Sequence, residues 1–247
     1  MRALLLALLV AMPPGVHYQG TVGTGMKVWT PPGIARDTGA SYPLMASGLG
    51  IPASFNISGV TVSASSSVIV VVLVGSSGNG AHVLWAPTIA WNGGTPEGAS
   101  TFTLSSSRNT TYSFVNIWTA TTSQSVSAAQ INFTFPNAYS DTGWDSYAAT
   151  VDALTGASGT GVSGNSSSPG SVTLSGVTAG SWLYAGHYSF FPGTLSDVSG
   201  TTRLIRSLNT NNDAVIGVNT DGTSGSVTVG WTASGSGPEA AALEIKK

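Results

Sequence analysis

The segment from Val227 to Lys247 reads VTVGWTASGSGPEAAALEIKK, and its secondary structure decides the fold. Ala, Leu, Glu and Lys are strong helix formers, so intrinsic propensity predicts a helix from Glu239 to Lys247. The residues before it alternate as in a strand, at Val227, Val229 and Trp231, and a Gly/Ser turn follows. Propensity and context therefore make opposite predictions for the end of the chain.

An internal similarity favours the strand. The stretch SGVTVSASSSVIVVVLVG (58–75) resembles SGVTAGSWLYAGHYSF (175–190), and INFTFPNAYSDTGWDSYAATVDALTG (131–156) resembles the closing segment (227–246). Each member of the second pair has alternating apolar residues, a turn and an Ala-rich apolar stretch. The last strand is expected to leave Glu244 and the two lysines at the rim of the sheet. Its two faces are Ala240, Ala242 and Glu244 on one side and Ala241, Leu243 and Ile245 on the other.

Short apolar segments with period-2 alternation recur along the chain, for example at Ile131, Phe133 and Phe135. The gaps between them are rich in Gly, Ser, Asn and Asp, as β-turns require. The sequence thus predicts an all-β protein, a jelly-roll-like antiparallel β-sandwich with an irregular N-terminal arm. We expect the arm over residues 1–58 and one sandwich domain of two similar halves over residues 59–247. Two small domains are disfavoured, because each half holds few predicted strands for burying both faces.

The arm begins with MRALLLALLVAMPPG, one Arg before a short apolar run, and continues rich in Pro and Gly. Short strands are expected in it near Val28 and Phe55. The apolar run is too short to span a bilayer, which takes about 20 residues. Three interpretations stay open: a retained peg inserted into a partner, a cleaved secretion signal or a misassigned start. The residues of the partner-binding peg are Leu4, Leu5, Leu6, Leu8, Leu9 and Val10.

The amino-acid composition narrows the range of functions that the protein could have. Charged residues make up 7% of the chain, against roughly 25% in ordinary soluble domains. The eight Lys and Arg are scattered and form no basic stripe for phosphates, so no nucleic-acid partner is expected. The chain has no Cys, which excludes disulfides and thiolate metal sites. A surface of hydroxyls and amides suits a protein outside cells or one packed among many copies.

The order GVTVSASSSVIVVVLVG, IAWNGGT, VNIWTATT, INFTF and VTVGWTASGSGPEAAALEIK resembles a β-sandwich module of tailed-bacteriophage virion proteins and bacterial exported proteins. In style the chain is closest to minor tail proteins of actinobacterial phages. The resemblance covers about residues 58 to 247 and rests on turns and core positions. It implies a fold and a virion or extracellular setting, and it carries over no catalytic residue.

Catalytic patterns are weak. The histidines, His17, His82 and His187, stand near no G-x-S-x-G elbow and show no metal-ligand spacing. Glycoside hydrolysis needs two carboxylates flanking one bond, but Glu occurs only at 97, 239 and 244, without an E-x-D-x-E cluster. We therefore expect no enzyme and no metal site.

Two loops are candidates for binding. YSDTGWDSY (139–147) carries Asp141 and Asp145 around Trp144, and NTNNDAVIGVNTDGTSG (209–225) is rich in Asn and Asp. Turn formation is favoured over calcium binding, because neither loop has the order of an EF-hand. A second exposed aromatic is expected at Trp91, before Asn92-Gly93-Gly94. The candidate glycan-binding residues are thus Trp91, Trp144, Asp141 and Asp145.

Together these features predict a non-enzymatic structural component of a phage virion, a minor tail or decoration protein. The arm would attach it to other virion proteins and to copies of itself, and the sandwich would face outward for weak adhesion to a host-surface glycan. No cofactor and no bilayer-spanning segment are expected. The alternative is a secreted bacterial carbohydrate-binding β-sandwich module. A hydrolase, the third hypothesis, predicts that His and carboxylate side chains meet in one cleft.

Overall fold

The computed structural model describes residues 17–19, 27–29, 33–63, 67–77, 84, 86–167, 170–190, 193–233 and 236–247. The chain divides into two compact units, Met1–Gly33 and Ile34–Lys247. In the first unit, β1 (His17–Gln19) and β2 (Lys27–Trp29) pair as antiparallel strands. The peg residues Leu4 to Val10 lie outside the described residues.

The second unit is built from antiparallel strands, and no helix occurs among its described residues. The all-β sandwich predicted from the sequence is confirmed, and the closing segment is a strand. The strands of the first half are β3 (Ala35–Arg36), β4 (Leu44–Leu49), β5 (Ser54–Val62), β6 (Ser67–Ser77), β7 (Thr88–Trp91), β8 (Thr103–Asn109), β9 (Ser113–Thr122), β10 (Val126–Thr134) and β11 (Asp145–Thr155). Those of the second half are β12 (Gly159–Ser166), β13 (Ser171–Val177), β14 (Trp182–Phe190), β15 (Leu195–Asp197), β16 (Thr201–Leu208), β17 (Asn212–Asn219), β18 (Gly225–Ala233) and β19 (Ser236–Lys246).

Both halves have the same strand order. In the first half, β4, β11, β6, β9 and β8 form a large sheet, with β3 also on β11, and β5, β10 and β7 form a small sheet. In the second half, the large sheet is β12–β19–β14–β17–β16 and the small sheet is β13–β18–β15. Each strand from β4 to β11 thus has its counterpart eight strands later. Except that the fifth strand joins the large sheet, this is the order of a jelly roll.

Each half closes its own sandwich, so the expectation that one half holds too few strands is wrong. One core cluster, with Leu73 and Phe133, lies between the sheets of the first half. A second, with Val229 and Trp231, lies between the sheets of the second half. A third, centred on the valines of β6 and on Tyr184, joins the two large sheets. The unit is therefore a stack of four sheets, with two sandwiches packed back to back.

The contact between the large sheets has approximate two-fold symmetry. β4 lies against β16, β8 lies against β12, and β6 packs on β14. Each contact between a strand of one half and a strand of the other is matched by the contact between their counterparts, as in a symmetric dimer. The internal similarity of the sequence thus corresponds to a duplicated sandwich.

Strands at the middle of the stack are buried on both faces, which explains their sequences. β6 reads SVIVVVLVGSS, a continuous apolar run typical of a strand covered on both sides. In β19, Ala240 and Ala242 face the core of the second half, while Leu243 and Ile245 face the first half. The predicted alternation is correct, but both of its faces are interior.

The boundary between arm and sandwich differs from the expected one. It was expected between residues 58 and 59, and the compact units divide between Gly33 and Ile34. β4 pairs with β11 and β5 pairs with β10, so residues 44–62 belong to the first sandwich. Gly50 and Pro52 of this segment lie in the β4–β5 turn, whereas Gly48 lies within β4 and Gly59 within β5, and both strands still pair. Within the described part of the chain, no helical segment has the length and apolar character to cross a bilayer.

Candidate functional site

The two loops singled out in the sequence meet at one end of the stack. The β10–β11 loop and the first residue of β11 supply three consecutive backbone carbonyls, and the β16–β17 turn and the first residue of β17 supply three side-chain amides. Asn209 Nδ2 donates to Asp145 O at 3.1 Å, and Asn211 Nδ2 donates to Gly143 O at 2.6 Å. Asn212 Nδ2 donates to Trp144 O. We call these six groups the asparagine clasp.

The asparagine side chains also shape their own turn. Asn209 Oδ1 accepts hydrogen bonds from the backbone N–H of Asn211 at 2.9 Å and of Asn212 at 2.7 Å. This is the local bonding that makes Asn a turn residue. Asp141 acts in the same way in the partner loop, where its Oδ1 accepts from Gly143 N at 3.1 Å. No group of three or more His, Asp or Glu suited to a metal ion occurs in the described part of the chain.

The predicted glycan residues of the β10–β11 loop differ in exposure. Trp144 and Asp141 are half-buried, whereas Asp145 is fully buried. Asp145 begins β11, and its backbone oxygen accepts from Gly50 N at 2.8 Å. Its position corrects the expectation that the Asp145 carboxylate faces a ligand.

Trp91 is a core residue and presents no exposed face. Its side chain is 6% exposed and packs on Phe102, with ring centroids 4.8 Å apart. Its Nε1–H donates to Ser100 O at 3.0 Å. Because Trp91 ends β7 and pairs with Ile131, it points into the sandwich although an exposed Asn-Gly-Gly turn follows it. The prediction of an exposed Trp91 is wrong for this reason.

A cleft lies beside the asparagine clasp, between the β4–β5 turn and the β10–β11 loop. Its volume is about 440 Å³, and it is largely open to solvent. Residues 49–52 line one side, and Ala138, Tyr139, Ser140 and Thr142 line the other. We call it the loop cleft. None of the four glycan-binding residues predicted from the sequence lines this cleft, although Asp141 lies on the same loop as the residues that form one wall.

His187 is enclosed between the two sheets of the second half. It is fully buried, and its ring centroid lies 5.8 Å from that of Trp231. Neither ring nitrogen has a hydrogen bond of normal geometry within the described residues. Burial, and secondarily the nearby positive charge of Arg206, lowers the pKa of His187 to about 3. Asp213 lies on β17, the strand that pairs with β14. Its Oδ1 accepts a hydrogen bond from Arg206 Nε at 2.8 Å, and its Oδ2 accepts one from Arg206 Nη2 at 2.5 Å.

We expect stability to depend on pH through His187. A histidine in the unfolded chain has a pKa of about 6.5. Between about pH 6.5 and pH 3, His187 therefore binds a proton in the unfolded chain but not in the folded chain. The free energy of unfolding should therefore fall as the pH drops through this window, by up to about 1.4 kcal/mol per pH unit. Urea denaturation of wild type and His187→Leu at pH 7 and pH 5 measures this. Equal losses in both proteins would contradict the assignment.

The remaining carboxylates have separate structural partners. Glu244, expected at the rim, is fully buried and accepts from Val162 N, Thr178 N and the Ser181 hydroxyl at 2.7–2.8 Å. Burial alone raises the pKa of Glu244, but these hydrogen bonds outweigh it and hold the pKa below its usual value. Glu239 pairs instead with Arg108 across the two halves. The two carboxylates therefore do not form the pair that would flank a glycosidic bond.

Asp152 joins the halves inside the third core. Its Oδ2 accepts from Arg36 Nε at 2.9 Å and from the Tyr184 hydroxyl at 2.7 Å. Burial raises the pKa of Asp152, while Arg36 and Tyr184 oppose that shift. The carboxylate is 1% exposed, so its role is to link β3, β11 and β14.

The chain matches no family model, no curated protein and no solved structure. Functional inference therefore rests on its own residues and fold. Sequence reasoning identified both loops of the asparagine clasp separately. It missed their pairing, because a contact between two distant loops leaves no local pattern. It also missed the side of the loop cleft that residues 49–52 form, because these residues carry no polar side chain that would suggest a site. The only sequence signal was that both loops are rich in Asn or Asp.

Proposed function

We propose that the protein is a non-enzymatic structural component of a tailed-bacteriophage virion, a minor tail or decoration protein. In this proposal its N-terminal unit attaches it to neighbouring virion proteins, and its double sandwich faces outward. The observation that carries the proposal is the back-to-back stack of two sandwiches with a shared apolar core. Such a stack makes a stiff spacer with two similar outer faces.

The distribution of charge supports assembly over nucleic-acid binding. Every arginine that the structure describes is paired with a carboxylate: Arg36 with Asp152, Arg108 with Glu239, Arg203 with Asp197 and Arg206 with Asp213. Cations that are already neutralised release few counterions from phosphate. This surface suits close packing among neutral neighbours.

The outer faces of both small sheets are uncharged. In the first half, Asn56 and Ser58 of β5 stand beside Asn132 and Gln130 of β10. In the second half, the hydroxyls of Thr173 and Thr228 bond to each other at 2.8 Å across β13 and β18. Neutral faces pack against copies of themselves without the cost of desolvating charges.

Removal of the N-terminal unit tests the attachment. We expect a chain that begins at Ile34 to keep the stack folded, because the compact unit Ile34–Lys247 contains all three core clusters. The truncated chain should no longer join particles. The measurement is co-sedimentation of tagged full-length and truncated chains with phage particles assembled in their presence, with circular dichroism as the check on folding.

Two results would contradict the proposal. Particles that incorporate the truncated and full-length chains equally would remove the attachment role. An intact mass showing that the native protein loses its first 12 or so residues would favour the secreted module instead, because signal peptides of this type are cleaved after their apolar run.

A further inference from the structure

We propose that the loop cleft binds a neutral saccharide. This inference rests on the proposed outward-facing double sandwich and gives that exposed part a binding site and a ligand class. The cleft lies between the turn that follows β4 and the loop that precedes β11, at the end of the stack where both halves meet. It differs from the site expected from the sequence, because Trp91 and Asp145 are both buried and neither lines the cleft.

The cleft combines the two kinds of surface that sugars require. Leu49, at 49% exposure, and the accessible part of Tyr139 supply apolar surface, one from each wall. Ser140 and Thr142, both exposed, add hydroxyls that donate and accept hydrogen bonds. The C–H face of a pyranose packs on apolar and aromatic side chains, while its hydroxyls bond to uncharged groups.

The walls of the cleft are held rigidly before any ligand binds. Ile51 and Tyr139 exchange two backbone hydrogen bonds, at 2.6 and 2.7 Å. Gly50 has a φ of +80°, and a Cβ at this position would lie 2.9 Å from Tyr139 O, so glycine is required for the two walls to approach. The asparagine clasp fixes the carbonyls of Gly143 and Asp145 from the other half. A preformed site loses little conformational entropy on binding.

Charge decides the ligand class. None of the residues lining the cleft is charged, and the nearest acidic residue along the loop is Asp141, whose Oδ1 is engaged by Gly143 N. An anionic sugar or an acidic peptide would find no cation to pair with. A purely apolar ligand would make no use of the hydroxyls of Ser140 and Thr142. A neutral saccharide matches both.

Calorimetric titration of the full chain with chitotriose, cellotriose and mannotriose tests the proposal. We expect at least one of them to bind, and sialyllactose to bind at least tenfold more weakly. Leu49→Ser should weaken binding about tenfold by removing apolar contact. Thr142→Trp, a large residue at an exposed position of the wall, should abolish it. Leu104→Ser is the matched control, because Leu104 is 48% exposed at the opposite edge of the stack.

Each outcome has a consequence. Failure of all three sugars to bind at millimolar concentrations would overturn the saccharide site, as would binding that survives both cleft variants. Equal binding of sialyllactose would overturn the neutral class. Thermal unfolding of each variant shows whether it is folded, and Leu49→Ser keeps the test open if Thr142→Trp does not fold. Incorporation of Leu49→Ser into particles separates the two proposals: loss of sugar binding with normal incorporation leaves the structural role intact.

Discussion

Gly186→Leu is expected to destabilise the protein by about 3 kcal/mol or more, the upper end for overpacked cores. Gly186 lies on β14 where the two large sheets meet, and a Cβ there would approach Val115 Cγ1 to 2.6 Å and Val74 Cγ2 to 2.8 Å. Leucine would force the two sandwiches apart and open the third core cluster. Thermal unfolding should show a Tm lowered by roughly 6–12 °C for a chain of this length.

The control for this substitution is Gly33→Leu. Gly33 is exposed, and a Cβ there would meet no atom within 4 Å, so its stability should change by less than about 0.5 kcal/mol. Because the third core cluster shares strands with each of the other two, we also expect Gly186→Leu to unfold in one transition. Two separated transitions, or a Tm equal to that of wild type, would show that the halves are not joined through this contact.

Trp231→Ala is expected to cost about 3–5 kcal/mol, as deletion of a buried aromatic side chain does. Trp231 is fully buried between the sheets of the second half, where its ring lies over Gly217, whose Cβ would come within 2.9 Å of it. Its Nε1–H donates to Asp197 Oδ1 at 2.6 Å, and Arg203 donates to the same oxygen at 2.7 Å. The substitution therefore creates a cavity and weakens the link between β15 and β18.

Urea denaturation at constant pH measures this loss as a lower midpoint with an unchanged slope. Trp231→Phe keeps most of the buried ring and loses the N–H, so it should cost less than Trp231→Ala. Thr232→Ala, at the exposed neighbouring position, should lie within about 0.5 kcal/mol of wild type. If Trp231→Ala were as stable as Thr232→Ala, the assignment of Trp231 to the centre of that core would be wrong.

The central strands were predictable because their hydrophobic pattern is strong. β6, β9, β14 and β18 all coincide largely with apolar stretches that the sequence singles out, in SGVTVSASSSVIVVVLVG, VNIWTATT, SGVTAGSWLYAGHYSF and VTVGWTA. The edge strands β4 (LMASGL) and β12 (GTGVSGNS) were not expected, since their small and polar residues resemble turns. They form because a paired neighbour supplies the hydrogen bonds, β11 for β4 and β19 for β12. Pairing of this kind is tertiary information and leaves little trace in side-chain type.

The functional residues followed the same division. The loop at 139–147 was identified from its composition, and it does border the candidate site. Trp91 and Asp145 were misplaced, because a residue next to a polar turn points inward or outward according to strand register. Glu244 was expected at the rim for the same kind of reason. Its burial depends on two N–H groups and a hydroxyl that come from β12 and from the β13–β14 turn.

The sequence by itself determined the all-β class, the repeated halves and the final strand, because alternation, turn chemistry and internal similarity are local properties of the chain. Only the tertiary structure decided that the halves are two complete sandwiches stacked through their large sheets. A strand that is buried on both faces has the same apolar sequence whether the sheet on its second face belongs to its own sandwich or to another one. Which sheet packs on that second face depends on which surfaces are complementary in shape, as Gly186 is to Val74 and Val115.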